Sequence, residues 1–211
     1  CRCVCSWRWR SVRPAVVDPM LRAGGAPRPS PLRKSASLKQ GEPITAAEAY
    51  RALLPKIQVW QPKAAIALGR PKERSDGKKD QGVDGRWAAW HFTCASPDEQ
   101  TYALFEIDTS KEAASQIRVG ASNVRRPAVT ALVDPESWKI DSPKALEIAQ
   151  ANGLKDWLGQ HPSFDWGTLV LELRASKEEG PYWLITAHEG KGTIDFRISA
   201  VDGKVLHALS H

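Results

Sequence analysis

The sequence predicts an α+β protein built from two similar helix-plus-antiparallel-sheet halves behind a disordered, basic N-terminal tail. Three observations carry that prediction. A capped helix pattern occurs twice, each copy is followed by apolar stretches at strand spacing, and the first forty residues hold no apolar periodicity. The implied boundaries are 1–42 for the tail, 43–136 for the first half and 137–211 for the second.

The tail mixes Arg, Pro, Ser, Gly and Ala, and cannot bury enough apolar area to offset its ordering entropy. Residues 1–40 hold nine Lys/Arg against one acid, Asp18, and so carry +8 of the formal +6; the remaining chain, with 21 bases and 23 acids, carries −2. The basic character belongs to the tail, and the folded part offers no net positive field, which argues against nucleic-acid binding. Met20 is the chain's single methionine, and the odd run Cys1–Arg10 has the composition expected of translation upstream of a start near Met20. Two other readings of that run are a soft-metal site on Cys1, Cys3 and Cys5 and a lipid anchor on Cys1. The first lacks a fourth ligand at the usual zinc spacing, and the second sits beside unusual company in Arg2. No apolar run approaches the roughly 18 residues of a membrane span, and no secretion signal is legible.

In the first half Ile44-Thr45-Ala46-Ala47-Glu48 reads as a capping box, with Ala46, Tyr50, Leu53, Leu54 and Ile57 at helical spacing. Pro55 should end or kink this helix. Strand-like stretches follow at 64–68, 87–94 and 101–108. In the second half Ser142-Pro143 places a cap residue before a first-turn proline, Leu146 and Ala149 form the stripe, and Asn152-Gly153 reads as a Schellman stop. Strand-like stretches follow at 168–173, 182–188 and 193–199. Offsets between the halves are close: 97 for Thr45 to Ser142, 96 for Trp87 to Trp183 and 91 for Phe105 to Phe196. The largest insertion is the charged loop 69–85, and surface insertions of that kind are tolerated cheaply. Alternation of Thr193, Asp195, Arg197 and Ser199 against Ile194, Phe196 and Ile198 gives one wet and one dry face, as in an antiparallel sheet covered by a helix on one side.

The closing run Phe196-Arg197-Ile198-Ser199-Ala200-Val201-Asp202-Gly203-Lys204-Val205-Leu206 resembles the last strand and hairpin turn of PepSY-type domains. The helix from Ser142 and the strand Pro181–Ile185 follow the family's order. In the first half Phe105-Glu106-Ile107-Asp108-Thr109 is similar, keeping the Asp that Ser199 replaces but lacking the Gly-Lys turn. The resemblance spans about residues 43–211 and is closer at the end than at the start. It implies a small helix-on-sheet domain, often duplicated, secreted or periplasmic, and tied to regulation of peptidases or sensing at the cell envelope.

No constellation of catalytic residues stands out. His91 and Cys94 are three apart, which on a strand points them to opposite faces, so they form no dyad. Asp76, Asp80 and Asp84 lack the spacing of a calcium loop, and neither a phosphate loop nor a nucleophile elbow is present. The expectation is therefore a non-enzyme without cofactor or metal. Tryptophan is unusually abundant, with nine in the chain. Its rings either fill the space between helix and sheet or, where a strand turns one outward, mark an interaction surface. The candidate interaction residues are Trp87, Trp90, Tyr182 and Trp183. The leading expectation is a tandem module whose sheet face or inter-repeat groove engages a protein or peptide; the alternative is a peptidase inhibitor acting through the loop 69–85.

Overall fold

A computed structural model describes residues 38–72, 82–122 and 124–210 of the chain. The expected tail up to residue 37 and most of the inserted loop, 73–81, lie outside the described residues. The protein is α+β: helices lie on one side of an eight-stranded antiparallel sheet. The elements run α1 (Ala46–Trp60), β1 (Ala65–Pro71), β2 (Ala89–Ala95), β3 (Tyr102–Asp108), β4 (Ile117–Ser122), α2 (Ser142–Ala149), α3 (Lys155–Gln160), β5 (Val170–Ser176), β6 (Gly180–Glu189), β7 (Gly192–Ser199) and β8 (Val205–Ser210). Each helical segment thus precedes a four-stranded meander. The sheet order is β4-β3-β2-β1-β5-β6-β7-β8, with β1 and β5 paired at the centre through Gly69 and Leu173.

Each of the six strand-like stretches of the sequence contains a strand here; burial alternates with period two along β3 and β7, whereas Ile66-Ala67 in β1 and Leu171-Glu172-Leu173 in β5 are buried in succession. In β7, Ile194, Phe196 and Ile198 are buried under the helices while Arg197 is exposed. β4 and β8 are additional outer strands. α1 runs on through Pro55 where the sequence predicted an end or kink. Pro55 lies on the exposed face, between buried Leu53 and Ile57, so the carbonyl it leaves unpaired faces solvent. The second helix is capped by Asp141, one residue before the expected Ser142, whose amide donates to the Asp141 carboxylate. Asn152 and Gly153, with φ of +121° at the glycine, interrupt the helix as the stop signal required, but α3 resumes directly after them.

Register matches particular residues on the two sides. Trp90 lies opposite Ile107 and Phe92 opposite Phe105 in the first run; Trp183 lies opposite Ile198 and Ile185 opposite Phe196 in the second. The partner of Trp183 by register is therefore Trp90, not the Trp87 suggested by sequence offset. Both indoles act alike. Trp90 Nε1 donates to the Ile44 carbonyl (3.0 Å) and Trp183 Nε1 to the Ile140 carbonyl (2.7 Å). Each of those carbonyls belongs to the residue just before a helix N-cap.

The helix N-termini meet. The first four amides of a helix have no partner within it, and all four in α1 are accounted for. Thr45 N–H donates to Glu48 Oε2 and Glu48 N–H to Thr45 Oγ1, the predicted capping box. Ala46 N–H donates to Ser142 Oγ and Ala47 N–H to Asp141 Oδ1, both at 3.0 Å. The start of α2 thus caps half of α1. Ser142 Oγ in turn donates to the Gly85 carbonyl at 2.8 Å. Gly85 has φ of +76°, and a Cβ there would fall 2.5 Å from Pro143 Cα, so only glycine fits at this joint.

Candidate functional site: the groove beside the first helix

The connector from β4 to α2 does more than link. Val133 bridges to Ile66 of β1 and Ala131 to Ala175 of β5, filling the place where the two central strands part. Leaving the sheet, the connector runs alongside α1 and bounds a groove of about 880 Å³. That is within the roughly 300–1,000 Å³ of ligand-binding clefts.

Its apolar lining comes from Tyr50 and Leu54 on α1 and from Leu132 and Trp138 on the connector. Tyr50 is there because the helical period that buries Leu53 and Ile57 also turns residue 50 inward, where its ring meets Phe92 edge-on at 5.4 Å and Trp138 at 6.1 Å. Burial, with Cys94 and Asp134 nearby, holds the Tyr50 hydroxyl protonated well above the usual range. Trp138 packs on Trp183 at 5.9 Å and ties its indole N–H to the Ile140 carbonyl at 2.6 Å. Charged groups of both signs ring the opening: Arg51 and Lys63 from the first helix and its exit, Asp134 and Glu136 from the connector. An apolar floor with a mixed charged rim suits amphipathic chain segments better than a uniformly charged ligand.

The residues singled out from sequence sit elsewhere. Trp90 and Trp183 are completely buried and Trp87 nearly so. Trp87 precedes β2 and pairs with Ile44, so strand alternation does not govern it, and its ring meets Trp90 edge-on within one core at 5.5 Å. Tyr182 lies on the helix-free face of the sheet, largely covered, with the Arg197 guanidinium 5.6 Å from its ring centre. None of the four lines the groove. Of the loop 69–85, residues 69–71 belong to β1, and Gly85 is fixed against α2.

The helix-free face carries a small apolar cluster of Ala67, Ala95 and Tyr102 under Val124, Val129 and Leu132, and beside it a polar group. Glu106 accepts from Lys72 at 2.5 Å and lies 3.1 Å from His91 Nε2. Burial pushes the Glu106 carboxyl up, but those two hydrogen bonds outweigh it and leave the group below its ordinary value. Burial pushes His91 down, only partly offset by Glu106. Glu172, nearly buried, is flanked by Arg70 at 3.9 Å and contacts Arg174. Cys94 is on the opposite face of β2 from His91, and burial pushes its thiol up to about 12. At neutral pH it is a protonated core group and no nucleophile. Among the described residues no group of three or more His, Cys, Asp or Glu is placed to hold a metal ion, and no helix is long and apolar enough to cross a membrane.

No protein-family profile and no curated protein matches the chain. A solved structure of a candidate lipoprotein from Clostridium difficile 630 is similar with a TM-score of 0.44 and 14% identity, over 77% of this chain and 93% of that one. At that distance the likeness carries no argument.

One local feature of the sequence bears on the groove. Pro135-Glu136-Ser137-Trp138 puts a large aromatic in a polar turn just before a helix cap, where it has no helix or strand of its own to serve.

Proposed function

We propose that this chain is a tandem PepSY-like module that binds a protein or peptide without catalysis, in the groove between α1 and the connector. The observation that carries this reading is the groove itself, with its aromatic floor, its charged rim and its walls drawn from α1 and the connector. The tandem character is supported by the matched indole bonds of Trp90 and Trp183 and by the sheet order, which reads alike from either end. The PepSY resemblance of the closing hairpin supports a regulatory or sensory role at the cell envelope.

A groove of this kind takes an amphipathic segment through a few apolar anchors. Selection from a displayed library of random peptides of about twelve residues tests it. Selected peptides should bind the full chain and a variant lacking residues 73–81 equally, and should lose about tenfold or more of their affinity to Trp138→Leu and to the pair Arg51→Glu, Lys63→Glu. Peptides that bind both groove variants as well as the parent, or that depend on the loop, would overturn the assignment and favour an inhibitor built on 69–85.

A further inference from the structure

The helix layer is narrower than the sheet. α1 packs over β1–β3 and α2 over β6 and β7, so β4 and β8 extend beyond the helices as outer strands. Their helix-side residues show it: Val119, opposite buried Phe105, and Ala208, opposite buried Phe196, are both exposed.

An outer strand carries a row of backbone N–H and C=O groups that the sheet leaves unpaired, and it is commonly blunted by charge, glycine, proline or a bulge. β4 is blunted. It carries Arg118 near its centre and Gly120, and its register with β3 slips between Ala103 and Phe105. β8 is not. Its six residues, Val-Leu-His-Ala-Leu-Ser, include no Lys, Arg, Asp, Glu, Gly or Pro, and its one register shift lies at its start, leaving 207–210 in regular pairing with β7. Leu209 is exposed on the helix-free face.

We infer that β8 pairs with the β8 of a second copy, antiparallel, about a twofold axis normal to the sheet. Such an axis keeps the helices of both copies on one side and closes after two chains, whereas β8 on β4 would propagate without end. No like-charged Lys, Arg, Asp or Glu side chains within the strands meet, since β8 has none of them. The helices leave room: with α2 over β6 and β7, four strand spacings separate it from its mate, about 19 Å, against a helix diameter of about 10 Å. Six paired residues form a small interface, which puts the dimer in the weak, concentration-dependent class.

Sedimentation of the full chain over roughly 1 to 200 µM tests this. The weight-average mass should climb towards twice the monomer's. Leu209→Lys should stay monomeric throughout with an unchanged circular dichroism spectrum and melting temperature, and Ala208→Lys, exposed on the other face, is the second variant should the first fail to fold. Val119→Lys on the opposite edge should dimerise like the parent. A parent that stays monomeric, an assembly larger than a dimer, β8 variants that still dimerise, or loss of dimer in Val119→Lys would each overturn the proposal.

Discussion

Replacing Ser142 by alanine should destabilise the protein more than replacing Thr45, although Thr45 is the capping-box residue visible in the sequence. The Ser142 hydroxyl is completely buried, accepts from Ala46 N–H and donates to the Gly85 carbonyl. Alanine leaves both backbone groups without that partner in a dry joint, at about 1–3 kcal/mol each. The better helix propensity of alanine returns about 0.5 kcal/mol. The expected net loss is roughly 1.5–5.5 kcal/mol, whereas Thr45→Ala should cost about 1 kcal/mol, the usual effect of a lost cap.

Urea unfolding followed by tryptophan fluorescence measures both, because Trp87, Trp90, Trp138 and Trp183 report from the core on either side of the joint. The two variants and the parent should each unfold in one transition of equal slope. A Ser142→Ala loss smaller than that of Thr45→Ala would refute the argument, since it would mean that water or a shifted backbone satisfies Ala46 and Gly85. Two resolved transitions in the parent would refute it as well, because helices that cap one another cannot unfold independently.

Phe196→Ala should cost about 3–5 kcal/mol, as large aromatic truncations in a core do. Arg197→Ala, next to it on the wet face and paired with Glu179 and with Tyr182, should cost no more than about 1 kcal/mol; similar losses for the two would mean that the sheet faces are misassigned. Stability should fall on acidification from about pH 7 to pH 5. With the folded pKa of His91 below the unfolded 6.5, the unfolded chain takes up a proton before the native one does. His91→Gln should flatten that slope, and an unchanged slope would assign it to other groups. Glu106, lowered on folding, acts only further down, its contribution being lost as pH falls below 4.5 and through its folded value.

Much of the sheet was legible because burial imprints a period of two. β7 could be read from Thr193 to Ser199 because every second residue is apolar, and the capping box at Thr45 was legible because its chemistry is confined to four residues. What could not be read depends on partners distant in sequence. β4 is an outer strand with little burial, and the alternation of Ile117-Arg118-Val119-Gly120 is too short to stand out from a loop. Trp87 reads as part of a strand whose period it does not share, because its pairing with Ile44, 43 positions away, leaves no local mark. The capping by Asp141 is hard to read for the same reason: half of its work is done on Ala47, in another helix.

The groove belongs to this second class, and its construction bears on how it would bind. Tyr50 is fixed by Phe92 on one side and by Trp138 on the other, and Trp138 by the Ile140 carbonyl, which also holds Trp183. Ile140 directly precedes Asp141, the residue that caps both helices. Each part of the aromatic floor is therefore positioned by backbone that the N-terminal joint already orders, so a ligand entering the groove finds rings set before it arrives. Binding to such a site forgoes little conformational entropy. Loosening the joint by Ser142→Ala should on that account weaken ligand binding without touching any groove side chain, because the rings would have to be ordered at the moment of binding.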